Sequence, residues 1–204
     1  MILVLATRNQ GKIREIEKVL DLPGLSIRSL KDFRDVPEVV EDGRTFLENA
    51  IKKAQACSQT TGQAALADDS GLEVSCLKGA PGIYSARFSG PEAKDQDNNQ
   101  KLLSLLEGVP EVERTARFVC QMVLYLPDGT WIQTEGFCPG IIATAPRGEH
   151  GFGYDPVFYL PAFGKTMAEL PLEEKNRISH RARALQKIRV HLWRILKAGR
   201  GGQQ

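Results

Sequence analysis

Ile2-Leu3-Val4-Leu5-Ala6 runs directly into Thr7-Arg8-Asn9-Gln10-Gly11-Lys12, and Ile13, Ile16, Val19 and Leu20 follow at helical spacing. Five consecutive apolar residues without alternation read as a strand covered on both faces. The spacing after them predicts a helix over about 12–20, closed by Pro23-Gly24. A buried strand, a polar glycine turn and a helix are the opening unit of an α/β fold. The junction also has chemistry. A helix start carries backbone N–H groups without intrahelical partners and the positive end of the helix dipole, which suits phosphate, and Lys12 adds a point charge. A plain helix cap uses the same residue types. The stretch is not a Walker A loop, which would need Gly where Ala6 stands and Ser or Thr where Ile13 stands.

Working outward, Leu25–Leu30 reads as a second strand, and the stretch 35–43 as acidic and irregular. Thr45-Phe46-Leu47-Glu48 is a capping-box pattern and predicts a helix with Leu47, Ala50, Ile51 and Ala54 on its apolar stripe, ending at Gly62. Ala64–Ala67 reads as a short buried strand leading into the turn-like Asp68-Asp69-Ser70-Gly71, with a separate strand expected over Leu72–Leu77. A Gly/Pro-rich loop over Lys78–Gly90 and a helix over Pro91–Leu106 come next. Thr115–Leu126 and Thr130–Ile142 flank Pro127-Asp128-Gly129 and predict a long antiparallel hairpin. A Gly-rich loop over Pro146–Pro156 precedes a short strand, Val157–Leu160. The last helix is expected over Ser179–Lys197, and the tail from Gly199 to Gln204 is expected to fray. Helices and strands intermix, so the class is α/β around a mixed sheet.

Composition narrows the functions. The 204 residues are 42% hydrophobic and 25% charged, the balance of a globular domain with a sizeable core. No apolar run approaches the roughly 18 residues of a transmembrane helix, and the first residues lack the basic flank of a signal peptide. Cys57, Cys76, Cys120 and Cys138 lie far apart, with no CxxC pair, so neither a zinc site nor a disulfide framework is expected. The net charge of +2 conceals an asymmetry. From Lys175 onward there are nine Lys and Arg and no Asp or Glu, which leaves 18 basic against 25 acidic residues before it. The basic segment suits anion contact, nucleic-acid contact or a solvated face.

Four further stretches carry candidate chemistry. In a strand conformation Asp68 and Asp69 point to opposite sides, so one faces a site while the other pairs with the scaffold. Mg²⁺ accepts one or two carboxylates plus phosphate oxygens and water, and Glu41 is a candidate second carboxylate. In Gly151-Phe152-Gly153-Tyr154-Asp155-Pro156 the glycines leave room beside an aromatic, so Phe or Tyr there can stack on a planar base and Asp155 can accept from base N–H groups. A tight turn with a core aromatic has the same pattern. Ser179 as a helix N-cap places His180 and Arg181 in a first turn, where cations oppose the dipole.

The ordered set Thr7–Lys12, Thr-Phe-x-Glu-Asn-Ala (Thr45–Ala50), Ala-Asp-Asp-Ser-Gly-Leu (Ala67–Leu72), Gly-Ala-Pro-Gly-Ile-Tyr-Ser-Ala-Arg (Gly79–Arg87), Gly-Phe-Gly-Tyr-Asp-Pro (Gly151–Pro156) and Ser-His-Arg (Ser179–Arg181) resembles the inosine triphosphate pyrophosphatase family, whose bacterial members are dITP/XTP pyrophosphatases. The resemblance runs from about Ile2 to Leu196. It implies an elongated subunit of two lobes around a long mixed sheet, forming one pyrophosphatase domain over residues 1–198, with a flexible tail over 199–204. It further implies a cytoplasmic homodimer and Mg²⁺-dependent hydrolysis of ITP, dITP or XTP to the monophosphate and pyrophosphate.

By matching motifs, the resemblance implies that Thr7, Arg8, Asn9, Gln10, Gly11 and Lys12 bind the triphosphate and that Lys53 neutralises phosphate charge. Arg8 falls at a variable position of its motif. Asp69 is implied as general base and metal ligand, Glu41 as the second metal carboxylate, and Ser70 as a substrate contact. Phe152 is implied to stack on the purine, with Gly153, Tyr154, Asp155, Lys175, His180 and Arg181 completing the nucleotide pocket. The expected partners are a small-molecule nucleotide and a second copy of the chain, with no nucleic acid and no membrane. A rival reading makes the chain a non-catalytic nucleic-acid-binding module using the basic last helix with Phe152 and Tyr154. Against it, the two-Asp motif would repel phosphate in the absence of a metal. The related Maf-like pyrophosphatases carry an N-terminal Ser-x-Arg-Arg signature that is absent here.

Overall fold

A computed structural model describes residues 1–33 and 36–201, with the side chains of 199–201 excepted. In chain order the elements are β1 (Ile2–Leu5), α1 (Gln10–Val19), β2 (Ser26–Ser29), α2 (Phe46–Thr61), β3 (Ala64–Val74), α3 (Asp95–Leu105), β4 (Thr115–Tyr125), β5 (Trp131–Ile142), β6 (Phe158–Leu160), β7 (Lys165–Thr166), α4 (Leu172–Ile178) and α5 (His180–Gly201). One seven-stranded sheet runs in the order β2-β1-β3-β4-β5-β6-β7. β1 pairs in parallel with β2 and β3, Leu3 lying opposite Ile27 and Ala64. β5, β6 and β7 pair antiparallel. The sheet is therefore mixed, and the class is α/β.

The chain divides into two compact units. The first holds Met1–Asp69, Cys120–Gly136 and the chain from Arg181 on; the second holds Ser70–Val119 and Phe137–His180. In the first unit, alternation along the buried strands decides which helix each residue meets. Leu3, Leu5 and Leu66 join Ile13, Ile16, Leu185, Ile188 and Leu192 of α1 and α5. Val4, Ala6, Ala65 and Ala67 join Ala50, Ala54 and Cys57 of α2 on the other face. The small residues there let helix and strand backbones approach closely. In the second unit, Leu72 and Val74 pack with Leu102, Leu106, Phe118, Phe158 and Leu170. Buried Arg114 closes the end of α3, donating to the carbonyls of Leu106 (2.7 Å), Val109 (2.9 Å) and Ala143 (3.2 Å).

Several expectations change. Asp68-Asp69-Ser70-Gly71 is no turn between two strands but the middle of one continuous strand, β3. α1 starts at Gln10 rather than Lys12, because Asn9 caps it by accepting from the Lys12 N–H. α3 starts at Asp95 rather than Pro91. The Thr45 cap forms, its hydroxyl accepting from the Glu48 N–H, but the Glu48 carboxylate reaches back to the Arg44 N–H rather than to Thr45. Gly62 ends α2 in the left-handed region at φ +66°. Neither α4 nor β7 is expected from the sequence. α5 extends to Gly201, and the remainder of the expected tail, Gly202–Gln204, lies outside the described residues, as does Asp35 of the acidic stretch.

Candidate active site

In the first unit, β3 carries Asp68 and Asp69 to opposite faces of the sheet, as strand geometry requires. Asp68 continues the Leu66 face. Its Oδ2 accepts from Lys12 Nζ at 2.9 Å and from Arg181 Nε and Nη2, both at 3.1 Å. Arg181 Nη1 donates to Glu15 Oε2, from α1. Asp68, Glu15 and Arg181 are all buried. Burial alone would raise the Asp68 carboxyl, but Lys12, Arg181 and Lys53 outweigh it and hold the group well below the usual carboxylate range. Burial works against the charge of Arg181 as well, and Asp68 and Glu15 more than offset it.

Asp69 continues the Ala65–Ala67 face, toward α2. Its Oδ1 accepts from Lys53 Nζ at 3.2 Å and its Oδ2 from Asn49 Nδ2 at 3.0 Å. Lys53 also donates to Glu41 Oε1 at 3.2 Å, so two carboxylates converge on one ammonium. Asn49 and Lys53 lie one helical turn apart on α2, a spacing that puts both on one face. Asn49 also braces the loop bearing Glu41, because its Oδ1 accepts from the Gly43 N–H at 2.8 Å. A side chain at Gly43 would put its Cβ 2.5 Å from that oxygen. Burial pushes the Asp69 carboxyl above its ordinary value, with Lys53 and Lys12 pulling the other way. Burial disfavours the charged form of Lys53, yet Asp69, Glu41 and Asp68 together raise it above an ordinary lysine. The ammonium is therefore fixed in place and charged.

The turn before α1 is held by two local bonds and one to a distant loop. Thr7 Oγ1 accepts from the Asn9 N–H at 3.2 Å, Gln10 Nε2 donates to the Arg8 carbonyl, and Arg8 Nη2 donates to the Val36 carbonyl. As first-turn groups, the N–H donors of Gln10 and Gly11 have no intrahelical acceptor.

In the second unit, Phe152 is half-buried, whereas Tyr154, Asp155 and Lys175 are buried. Asp155 Oδ2 accepts from Lys175 Nζ at 2.6 Å and from the Phe152 N–H at 2.9 Å. Lys175 Nζ lies 4.7 Å from the centre of the Phe152 ring. Gly151, at φ +80°, accepts no side chain, since a Cβ would fall 2.0 Å from Asp155 Oδ2. Tyr154 points inward, its hydroxyl donating to the Ser85 carbonyl at 2.9 Å, so Phe152 is the more exposed aromatic of the turn. His180 is buried and stacked on Phe118, with ring centres 4.7 Å apart. Ser70 is half-buried on β3.

The expected residues thus fall into two groups. Lys12, Lys53, Glu41, Asp69 and Arg181 are gathered around β3 in the first unit; Phe152, Tyr154 and Asp155 form one turn in the second, joined by Lys175 of α4 through its bond to Asp155. Asn49 and Glu15 escape the reading of the sequence. Each is a polar residue among the apolar positions of its helix, which marks it for burial but does not name the group it meets. Among the described residues, no group of three or more His, Cys, Asp or Glu is placed to hold a metal.

The chain matches the Ham1 family over residues 3–191. It is 54% identical to the dITP/XTP pyrophosphatase of Syntrophobacter fumaroxidans over 96% of this chain and 84% of that protein. It is 56% identical to the dITP/XTP pyrophosphatase of Geobacter sulfurreducens over 93% of this chain and 96% of that one. Among solved structures it is similar to a HAM1 protein from Coxiella burnetii, with a TM-score of 0.87 and 40% identity, covering 95% of this chain and 99% of the other. The Staphylococcus aureus Ham1 protein gives a TM-score of 0.84 and 41% identity over 94% and 98% of the two chains.

Proposed function

This chain belongs to the Ham1 family, and on that premise we propose that it hydrolyses the deaminated purine nucleotides dITP, ITP and XTP to the monophosphate and pyrophosphate. The observation that carries the reading is the convergence of Asp69 and Glu41 on Lys53. Two hard carboxylates within reach of one cation fit Mg²⁺, which fills its remaining positions with water and phosphate oxygens and needs no third acidic ligand. Bound by Asp69 and Glu41, Mg²⁺ would supply Lewis-acid neutralisation of the triphosphate.

The chain's own groups do the rest. The N–H donors at the start of α1 and the Lys12 ammonium hold phosphate oxygens. Asp69, raised by burial and oriented by Asn49, accepts the proton of a water that attacks the α-phosphorus. The bond from that phosphorus to the bridging oxygen breaks, and pyrophosphate leaves with its charge offset by Lys12 and Lys53. Phe152 stacks on the purine in a turn held by Asp155 and Lys175, with Gly153 and Tyr154 completing the turn and Ser70 touching the substrate. Inosine and xanthine present a 6-oxo acceptor where adenine presents a 6-amino donor. Donors such as His180, Arg181 or backbone N–H groups match the first and oppose the second. Arg181 is held by Asp68 and Glu15, so its donation to a base competes with two carboxylates. The same reading makes the protein a cytoplasmic homodimer, and sedimentation of the purified chain tests the dimer.

A panel of nucleoside triphosphates with Mg²⁺, assayed separately for pyrophosphate and orthophosphate, tests the function. ITP, dITP and XTP are expected to release pyrophosphate, and ATP to release little. Orthophosphate with IDP as co-product would overturn the reading.

A further inference from the structure

The turn that presents Phe152 is gripped by α3. The Gly153 N–H donates to Asp95 Oδ2 at 2.6 Å, and the Gly153 carbonyl accepts from Asn99 Nδ2 at 3.0 Å. Asp95 and Asn99 are four residues apart, so one helix face supplies both contacts. The two groups of Gly153 belong to different peptide planes. The N–H lies in the plane joining Phe152 to Gly153, and the carbonyl in the plane joining Gly153 to Tyr154. A third plane, between Gly151 and Phe152, is fixed by the Phe152 N–H bond to Asp155. Phe152 thus has the peptide planes on both of its sides held by carboxylates, one of them on another element. At φ +62°, Gly153 occupies the left-handed region, and as a glycine it is free to leave it, so the clamp acts on a backbone position that needs holding.

Asn99 is a costly way to fill its place. It is 7% exposed, and its Oδ1 lies in no hydrogen bond among the described residues. A buried amide with an acceptor unmet is less favourable than an apolar side chain of similar size. What the amide does that an apolar residue cannot is hold the Gly153 carbonyl. The far end of the same turn is held through the Tyr154 hydroxyl on Ser85, within the Gly79–Arg87 motif, for which the sequence suggests no role.

We propose that Asp95 and Asn99 are positioning residues that fix the Gly153 peptides and thereby aim the Phe152 ring at the purine. The proposal rests on the base-stacking role given to Phe152 above. The full-length protein carrying Asp95→Ala, Asp95→Asn, Asn99→Ala, Phe152→Ala or the pair Asp95→Ala/Phe152→Ala tests it. Three quantities are measured: kcat and KM for ITP, amide hydrogen exchange of residues 151–155, and Tm. Asp95→Ala and Asn99→Ala are expected to raise KM about tenfold with kcat within about twofold. Exchange of the turn should quicken about tenfold while Tm holds. Asp95→Asn keeps a carbonyl that accepts from Gly153, and should recover most of the loss. With Phe152→Ala already present, Asp95→Ala should add nothing, because the clamp then has no ring to aim. Unchanged exchange in Asp95→Ala, or additive effects in the pair, would overturn the clamp. If Phe152→Ala alone leaves KM for ITP untouched while the turn still loosens in Asp95→Ala, the base-stacking reading falls instead, and with it the purpose given to the clamp.

Discussion

Asp68 and Asp69 are chemically identical and adjacent, yet their surroundings give them opposite properties. Asp68 meets two cations and is held as a deep anion, whereas Asp69 is raised by burial and so is better suited to take a proton. Asp69→Asn is expected to lower kcat by about two orders of magnitude or more while the fold remains, the range for a lost general base. On the proposed role of Asp69 as general base, kcat/KM of the wild-type enzyme should fall on acidification through a pKa above the ordinary carboxylate value, because a base acts in its unprotonated form. Steady-state kinetics across pH checks both statements; near-full activity of Asp69→Asn would contradict the assignment. The opposed directions of these two carboxylates were legible in the sequence, since adjacent strand residues must diverge. The helpers were not. Asn49 acts because α2 stands over Asp69, and Glu15 because α5 returns to α1, and neither approach is encoded in local spacing.

At the scale of elements, β3 is the instructive difference. Asp-Asp-Ser-Gly has the composition of a turn, because short polar side chains there often bond their own backbone. Here the two acids find partners on α1, α2 and α5 instead, so tertiary contacts outweigh local preference and the strand continues to Val74. Both α4 and β7, of seven and two residues, are too short for periodicity to announce them. By contrast β1, α2 and the β4–β5 hairpin were legible, because long apolar patterns and the punctuating Gly62 and Gly129 left little choice. The end of α3 depends on Arg114, which no pattern flagged. Arg114→Ala would take the guanidinium from three carbonyls, of which Leu106 keeps the Val109 N–H as a donor, and is expected to cost on the order of 3 kcal/mol. For a chain of this size that lowers Tm by roughly 6–12 °C. Arg114→Lys should recover only part of it, since one ammonium does not reproduce a planar fork. Thermal unfolding decides; an unchanged Tm in Arg114→Ala would refute this account of the helix end.

For the whole molecule, the separation of an acidic body from a basic last segment becomes specific contact at Arg181, which neutralises Glu15 and Asp68 inside the first unit. The pH dependence of stability follows. The folded pKa of Asp68 is depressed, so its contribution is complete above the ordinary carboxylate value and is lost as the pH falls toward the folded one. Acid unfolding should therefore steepen below about pH 4. Asp68→Asn, with no proton to gain at that position, should show a flatter acid profile while being less stable at pH 7, where a buried charge pair has lost one partner. Circular dichroism over pH distinguishes the two, and superimposable acid profiles would contradict the linkage. The span of the Arg181–Glu15 pair has a further consequence during synthesis. Glu15 and Arg181 are 166 residues apart, so the ribosome delivers the acid long before the base. Until α5 emerges, the nascent first unit holds Glu15 without the guanidinium that neutralises it and Asp68 with Lys12 as its nearest available cation. Vectorial folding therefore leaves the buried Glu15–Asp68 cluster without its guanidinium until the last helix is released, and translation itself times when that cluster is complete.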